Sequence, residues 1–128
     1  MNLSQPHFEE FLLPSVRKVA RAFEYEVFHT HSGFGNLAQW VLDVDELKCI
    51  EVYVDPTGPT LEDSIPLWNR ILEKKSLIVV SPVTEKQLDM LVSRLSRCGL
   101  WLDVEIVDED QDMNSVWQWS RADEKEEA

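Results

Sequence analysis

Two histidines one residue apart are the first positions in this sequence whose types and spacing suggest chemistry. His29 and His31 lie in a β-prone stretch, and residues two apart in a strand point to the same side. A pair of imidazoles on one side is a reasonable start to a metal site. A third ligand from Asp43, Cys49 or Glu51 would require a tertiary contact. The chain has neither HExxH nor a zinc-type Cys/His spacing, so we predict no metal and no cofactor. A small metal-dependent enzyme using this pair remains an alternative.

Two other patterns only weakly suggest a reaction or a nucleotide site. The glycine-rich GFG at 33–35 lacks the spacing of a phosphate loop. Ser81 lies between a predicted strand and a predicted helix, where a nucleophile could sit. Pro82 follows it and lacks the backbone N–H that could stabilise an oxyanion. We therefore predict no catalytic residues and a protein that is not an enzyme.

Acidic residues and tryptophans are concentrated at the C-terminal end of the chain. Residues 103–128 hold 10 acids and 2 bases, and the whole chain has a net charge of −12. Such a field repels nucleic-acid phosphates and anionic lipids, so we expect neither nucleic acid nor membrane as a partner. It favours a basic protein partner, although solubility alone could also explain it.

The candidate partner-binding residues lie in the last two predicted strands and in the DEDQD turn between them. Trp117 and Trp119 share one face of the last strand, because residues two apart do so. They either fill the core or stand exposed beside acids, where tryptophan would anchor a contact and the carboxylates would steer a basic partner. The set consists of Asp103, Glu105, Asp108, Glu109, Asp110, Asp112, Trp117 and Trp119.

The elements that must position these residues are predicted from hydrophobic periodicity and turn residues. Helices are expected at 4–24, with a break at Pro14, and at 64–74 and 84–99. Ser64 would cap the second helix, Thr84 and Gln87 would form a capping box on the third, and Gly99 would end it. Strands are expected at 25–31, 37–44, 48–54, 76–81, 100–107 and 113–120. Residues 37–44 with 48–54, and 100–107 with 113–120, would form hairpins. The pattern predicts an α+β (or α/β) fold, with a single mixed, mostly antiparallel sheet and about three helices packed on it.

The length and composition favour one globular domain over residues 1–120, followed by a disordered acidic tail at 121–128. No signal peptide and no apolar run long enough to span a bilayer is visible. Cys49 and Cys98 are expected to be free and buried. A cytoplasmic location follows as an expectation.

These observations predict a non-enzymatic acidic protein-binding module. In composition it is analogous to inhibitors and immunity proteins that neutralise a basic protein partner, although no motif supports the analogy. A dedicated secretion chaperone is a second possibility, which would require an exposed apolar groove. The partner's identity and the oligomeric state cannot be predicted from the sequence.

Overall fold

The computed structural model describes residues 3–34 and 37–109. The helical elements are α1 (Gln5–His7), a π-helical segment (Phe8–Leu12), α2 (Leu13–Ala22), a 3₁₀ turn (Ser32–Phe34), α3 (Leu37–Trp40), α4 (Leu61–Leu72) and α5 (Glu85–Arg94). The strands are β1 (Val27–His31), β2 (Cys49–Tyr53), β3 (Ser76–Val83) and β4 (Leu100–Ile106).

The four strands form one all-parallel sheet with the order β1-β2-β3-β4. The predicted mixed, mostly antiparallel sheet is therefore wrong, and the fold is α/β. The predicted strands at 25–31, 48–54, 76–81 and 100–107 all exist, so the error concerns how they pair. A crossover containing a helix separates each strand from the next, and parallel neighbours need a connection of that kind.

The residues predicted as strand 37–44 are the source of this error. They form the short helix α3, which is followed by two tight turns closed by Val44 N–H donating to the Val41 carbonyl and Leu47 N–H to the Val44 carbonyl. Val41 and Val44 are buried in the core. These apolar residues therefore belong to a buried crossover between β1 and β2, and the hairpin predicted from 37–44 and 48–54 does not form.

The strand order explains why the two faces of the sheet differ. Each connection moves one strand further in the same direction, and right-handed crossovers then place the intervening helices on one side. The burial pattern agrees, because alternate strand residues are buried. We call the helix-packed side the covered face. It carries Phe28, Thr30, Ile50, Val52, Leu77, Val79, Ser81, Val83, Leu100, Leu102, Val104 and Ile106.

Helix α5 confirms its predicted capping box. The Thr84 side chain accepts from Gln87 N–H at 3.2 Å, and the Gln87 side chain accepts from Thr84 N–H at 2.9 Å. Gly99 has φ +78°, a left-handed conformation that favours glycine, and turns the chain into β4. Helix α4 begins earlier than predicted, because Thr60 rather than Ser64 caps it by accepting from Asp63 N–H.

The first predicted helix is interrupted near Pro14, as expected. Ser4 caps its start, and a π-helical segment precedes α2, which has Pro14 in its first turn. Phe8, in the π-helical segment, is buried, and its ring centroid lies 5.6 Å from that of Trp40. None of the described helices is long and apolar enough to cross a membrane. The predicted strand 113–120 and tail 121–128 lie outside the described residues.

Candidate functional site

The second face of the sheet is the most unusual surface of the described chain. We call it the open face and define it by the strand residues that alternate with those of the covered face. They are Val27, His29, His31, Cys49, Glu51, Tyr53, Ser76, Ile78, Val80, Pro82, Trp101, Asp103 and Glu105. All of them except Pro82 are half-buried or exposed. Parallel sheets are usually covered on both faces, so an all-parallel sheet with such a face is atypical.

Trp101 dominates the β4 side of the open face. Its side chain is 68% exposed, although a tryptophan is usually largely buried in a folded protein. Asp103 and Glu105 follow on the same side of β4 and are both exposed. In the register, Trp101 lies beside Ile78 and Asp103 beside Val80. The edge of the sheet therefore presents one large indole, two carboxylates and partly buried aliphatic groups together.

The charge of the open face has one sign. Glu51, Asp103 and Glu105 carry carboxylates there, and none of its strand positions is a lysine or arginine. Asp108 and Glu109 follow β4 and are exposed as well. The Glu109 carboxylate forms a 3.0 Å ion pair with Lys86, which lies in the first turn of α5. A cationic group approaching this edge would therefore meet several carboxylates.

The predicted site residues divide into two groups. Asp103 and Glu105 lie on one side of β4, and Asp108 and Glu109 follow its end; all four are exposed. Asp110, Asp112, Trp117 and Trp119 lie outside the described residues. The two alternatives for Trp117 and Trp119, packing in the core or exposure beside acids, therefore both stay predictions.

Sequence reasoning missed the neighbours that make the β4 acids part of a larger surface. Trp101 shares its side of β4 with Asp103 and Glu105, as strand alternation requires, but the predicted site did not include it. Glu51 and Ile78 join the surface only because β2, β3 and β4 pair in parallel with this register. Strand alternation contained the signal for Trp101, whereas no local pattern specified the register.

His29 and His31 lie at the opposite edge of the open face, in β1. Their ring centroids are 5.0 Å apart and the rings are nearly perpendicular. His29 Nδ1 lies 2.5 Å from Glu51 Oε1, and His31 Nδ1 lies 2.9 Å from Asp55 Oδ1. The ring of Tyr53 lies beside both imidazoles. Each histidine is thus paired with its own carboxylate. The His29 side chain is 51% exposed and the His31 side chain 40%.

Asp55 is held rigidly where β1 and β2 end. Its Oδ2 accepts from the Gly33 N–H at 3.0 Å, and its own N–H donates to the Ser32 hydroxyl at 2.8 Å. Gly58 completes this contact, because a Cβ there would lie 2.6 Å from the Ser32 hydroxyl oxygen. The loop that contains Gly33 and the DPTGP loop at 55–59 therefore pack closely against each other. This structural role accounts for the GFG glycine that was weighed as a phosphate loop.

The remaining catalytic candidates do not form a site. Ser81 is 3% exposed, and its hydroxyl donates to the Pro82 carbonyl at 2.8 Å. Within residues 3–34 and 37–109, no three His, Cys, Asp or Glu side chains form a group that could hold a metal ion. Among the four described strands the order never reverses, so this part of the sheet lacks the switch-point crevice in which open α/β sheets usually bind ligands.

The two cysteines are free, as predicted. The expectation that both are buried is wrong, because Cys49 is half-buried and Cys98 is exposed. Cys49 belongs to the open face, where burial and the nearby charge of Glu51 raise the pKa of its thiol. A thiol of raised pKa is a weak nucleophile at neutral pH. Burial and the acidic surroundings therefore do not activate Cys49 as a nucleophile.

A cavity of about 440 Å³ lies beneath the loop that precedes β2 and includes Lys75 in its wall. Lys75 is 8% exposed, and its Nζ donates to the carbonyls of Val44 and Leu47 at 2.6 and 2.7 Å. Burial lowers the pKa of this ammonium group. The lysine satisfies carbonyls of the crossover turns, so its role is to hold the loop in place.

A second exposed apolar surface runs along the N-terminal helical segment. Phe11, Val19 and Phe23 are 66%, 56% and 63% exposed. Phe11 lies in the π-helical segment, Val19 in α2 and Phe23 just after α2, and we call these three residues the N-terminal stripe. This stripe carries no carboxylate of the predicted site.

No protein-family model matches the chain, and comparisons with curated proteins and with solved structures likewise find no match.

Proposed function

We propose that this protein is a non-enzymatic binding module that receives a basic protein partner on the open face of its sheet. The observation that carries the proposal is the grouping of Trp101, Asp103 and Glu105 on that face, with Trp101 68% exposed. An inhibitor or immunity-type protein that neutralises its partner is the form of this function that we favour.

The β4 half of the open face has the composition of a protein contact. Interfaces gain most of their affinity from a few large anchors, and tryptophan is prominent among them. Trp101 supplies such an anchor, and Ile78 and Val80 supply half-buried aliphatic surface beside it. A partner residue packed on this indole would remove its apolar surface from water. About 25 cal/mol is gained for each Å² of apolar surface removed in this way.

The carboxylates determine the chemistry of the partner. Asp103 and Glu105 border the anchor, and Glu51 lies further across the sheet. Arginine would suit this combination, since its guanidinium stacks on aromatic rings and pairs with carboxylates in a planar fork. The net charge of −12 also favours a basic partner over a second copy of the chain.

The experiment that tests this proposal is capture of partners from a lysate of the source organism, after nuclease treatment, at low and high salt. Two variants alter the open face: Trp101→Ala and Asp103→Asn/Glu105→Gln. Two matched controls alter other exposed sites, Phe11→Ala on the N-terminal segment and Glu73→Gln/Asp89→Asn on helices α4 and α5. Each control makes the same kind of change as its test variant.

A basic protein retained by the wild type and both controls, and lost by both test variants, would support the proposal. Retention should weaken at high salt, because exposed charge pairs are screened. Equal retention by Trp101→Ala and the wild type would exclude the open face as the binding surface. Capture of an acidic or neutral protein would contradict the choice of partner.

The secretion-chaperone alternative has one observation in its favour, the exposed stripe of Phe11, Val19 and Phe23. Loss of the captured protein in Phe11→Ala, with retention in Trp101→Ala, would favour that function instead. A metal-dependent enzyme lacks a third ligand among the described residues. For location, we propose the cytoplasm, where the thiols of Cys49 and Cys98 would stay reduced.

A further inference from the structure

We propose that His29 and His31 form an open two-histidine site for a divalent transition-metal ion such as Zn²⁺. This proposal concerns the β1 edge of the open face and does not depend on the proposed binding function. It goes beyond the sequence pattern because it rests on how the carboxylates of Glu51 and Asp55 engage the two rings.

The carboxylates fix which nitrogen of each imidazole can bind a metal. An ionised carboxylate accepts hydrogen bonds but cannot donate them. The short contacts of Glu51 and Asp55 with Nδ1 therefore place the proton of a neutral ring on Nδ1. The lone pair is then on Nε2, which is the form that coordinates metal ions. Both histidines reach this state through the same arrangement.

This arrangement is the one that supports metal-binding histidines in general. Such histidines nearly always donate their second ring N–H to a carboxylate or a carbonyl, which orients the ring and makes it a stronger ligand. Asp55 is itself held in place by Gly33 N–H and by its own N–H bond to Ser32. The support of His31 therefore extends into two locked loops.

The separation of the rings also fits a shared ion. Two imidazoles bound through nitrogen to one tetrahedral Zn²⁺ have centroids about 5 Å apart, given Zn–N bonds of about 2.1 Å. The observed centroid separation is 5.0 Å. Residues 3–34 and 37–109 provide no group of three or more His, Cys, Asp or Glu ligands. The pair would therefore supply two ligands, and water or a bound molecule the others.

The test is calorimetric titration of the full chain, without an affinity tag, with ZnCl₂ in a buffer that does not bind metal. We expect saturation at one Zn²⁺ per chain. His29→Gln and His31→Gln should each weaken binding by more than tenfold. His7→Gln is the matched control, because His7 lies in α1, away from the sheet, and it should leave the affinity unchanged.

The carboxylates provide a second, sharper comparison. Glu51→Gln should weaken binding about tenfold, as expected for loss of an outer-sphere partner. Asp89→Asn removes an exposed carboxylate of α5 and should have no effect, which separates the positioning role from the general attraction of an acidic protein for cations. Equal effects of the two variants would show that Glu51 acts only through its charge.

A direct readout on the wild type protects the test from any variant that folds poorly. Long-range ¹H–¹⁵N spectra of the imidazoles should show Nδ1-protonated rings for His29 and His31. Their Nε2 signals should then shift on Zn²⁺ addition, while those of His7 stay unchanged. Binding that is not saturable at one equivalent, or that survives His29→Gln, would overturn the proposal.

Discussion

The two faces of this sheet are made from alternating residues of the same four strands, yet they differ in almost every property. Neighbouring residues of β3 show the contrast clearly. Leu77 and Val79 are fully buried beneath the helices, whereas Ile78 and Val80 are half-buried on the open face. On β4 the same alternation separates Leu102 from the exposed acid Asp103.

The difference follows from strand order. In a parallel sheet whose chain moves steadily from one edge to the other, right-handed crossovers place the helices on one side. The described helices therefore provide one layer, and the opposite face is left to polar, aromatic and acidic residues. One face holds the fold together, and the other is the one to which we assign the proposed recognition.

The largest expected effect is on the free energy of unfolding, which should fall further when Leu77 of β3 is truncated than when its neighbour Ile78 is. Leu77→Ala should lower the free energy of unfolding by about 2–5 kcal/mol, because it leaves a cavity in the packed core. Ile78→Ala should lower it by less than about 1.5 kcal/mol, because part of that side chain already contacts water. Urea unfolding of both variants measures the difference. Equal losses would mean that the open face is packed as tightly as the covered one.

A polar group on the covered face allows a prediction of opposite sign. The Thr30 hydroxyl is buried, with no hydrogen-bond partner among the described residues. Thr30→Val keeps the shape of the side chain and removes that hydroxyl. It should raise the free energy of unfolding by about 1 kcal/mol, since an unsatisfied buried polar group is unfavourable. A lower melting temperature in this variant would show that the hydroxyl has a partner in solution.

The acids after β4 should act on association rate more than on stability. Replacing Asp108, Glu109, Asp110 and Asp112 by the corresponding amides should slow binding of a basic partner severalfold and flatten its salt dependence. Dissociation should change less, because Asp108 and Glu109 follow the end of β4 and are not part of the Trp101 anchor. Stopped-flow mixing at several ionic strengths measures both rates. Association kinetics identical to the wild type would remove these acids from the proposed function.

The smallest effect concerns the stability contribution of the open-face acids themselves. Asp103→Asn/Glu105→Gln should change the free energy of unfolding by no more than about 0.5 kcal/mol, because both side chains are exposed. Removing two negative charges from a chain of net charge −12 favours a slight gain. A loss above about 1 kcal/mol would indicate that these carboxylates belong to the structural framework.

The sequence predicted the elements of the fold better than their arrangement. All four described strands were found, because short apolar runs bounded by turns mark strands locally. The capping residues Thr84 and Gln87 were also correct, since they depend on only a few neighbouring residues. Gly99 is left-handed, as predicted, but it does not end α5, which stops at Arg94. Local signals of this kind are present in the chain itself.

Strand direction was wrong because it depended on one misassigned segment. Leu37, Ala38, Val41 and Leu42 recur at helical spacing, and the structure has a helix and turns there. Read as a strand, the same residues produced a hairpin and hence an antiparallel sheet. Read as a crossover, they would have required a parallel pair. This segment accounts for the first predicted hairpin, whereas the second, 100–107 with 113–120, extends beyond the described residues.

The candidate site was predicted only where it depended on alternation within one strand. Asp103 and Glu105 were placed correctly on one side of β4. Glu51 and Ile78 were not associated with them, because register between strands distant in sequence leaves no local pattern. The pairing of His31 with Asp55 likewise depends on two loops meeting at the end of the sheet.

The central claim is that the open face, with Trp101 as its anchor, binds a basic partner. The most direct test is the affinity of the captured partner for the full chain carrying Trp101→Ala, compared with Phe11→Ala, another highly exposed aromatic residue. We predict that Trp101→Ala weakens binding by about 30-fold, equivalent to about 2 kcal/mol, and that Phe11→Ala leaves the Kd unchanged. An unchanged Kd for Trp101→Ala would contradict the account.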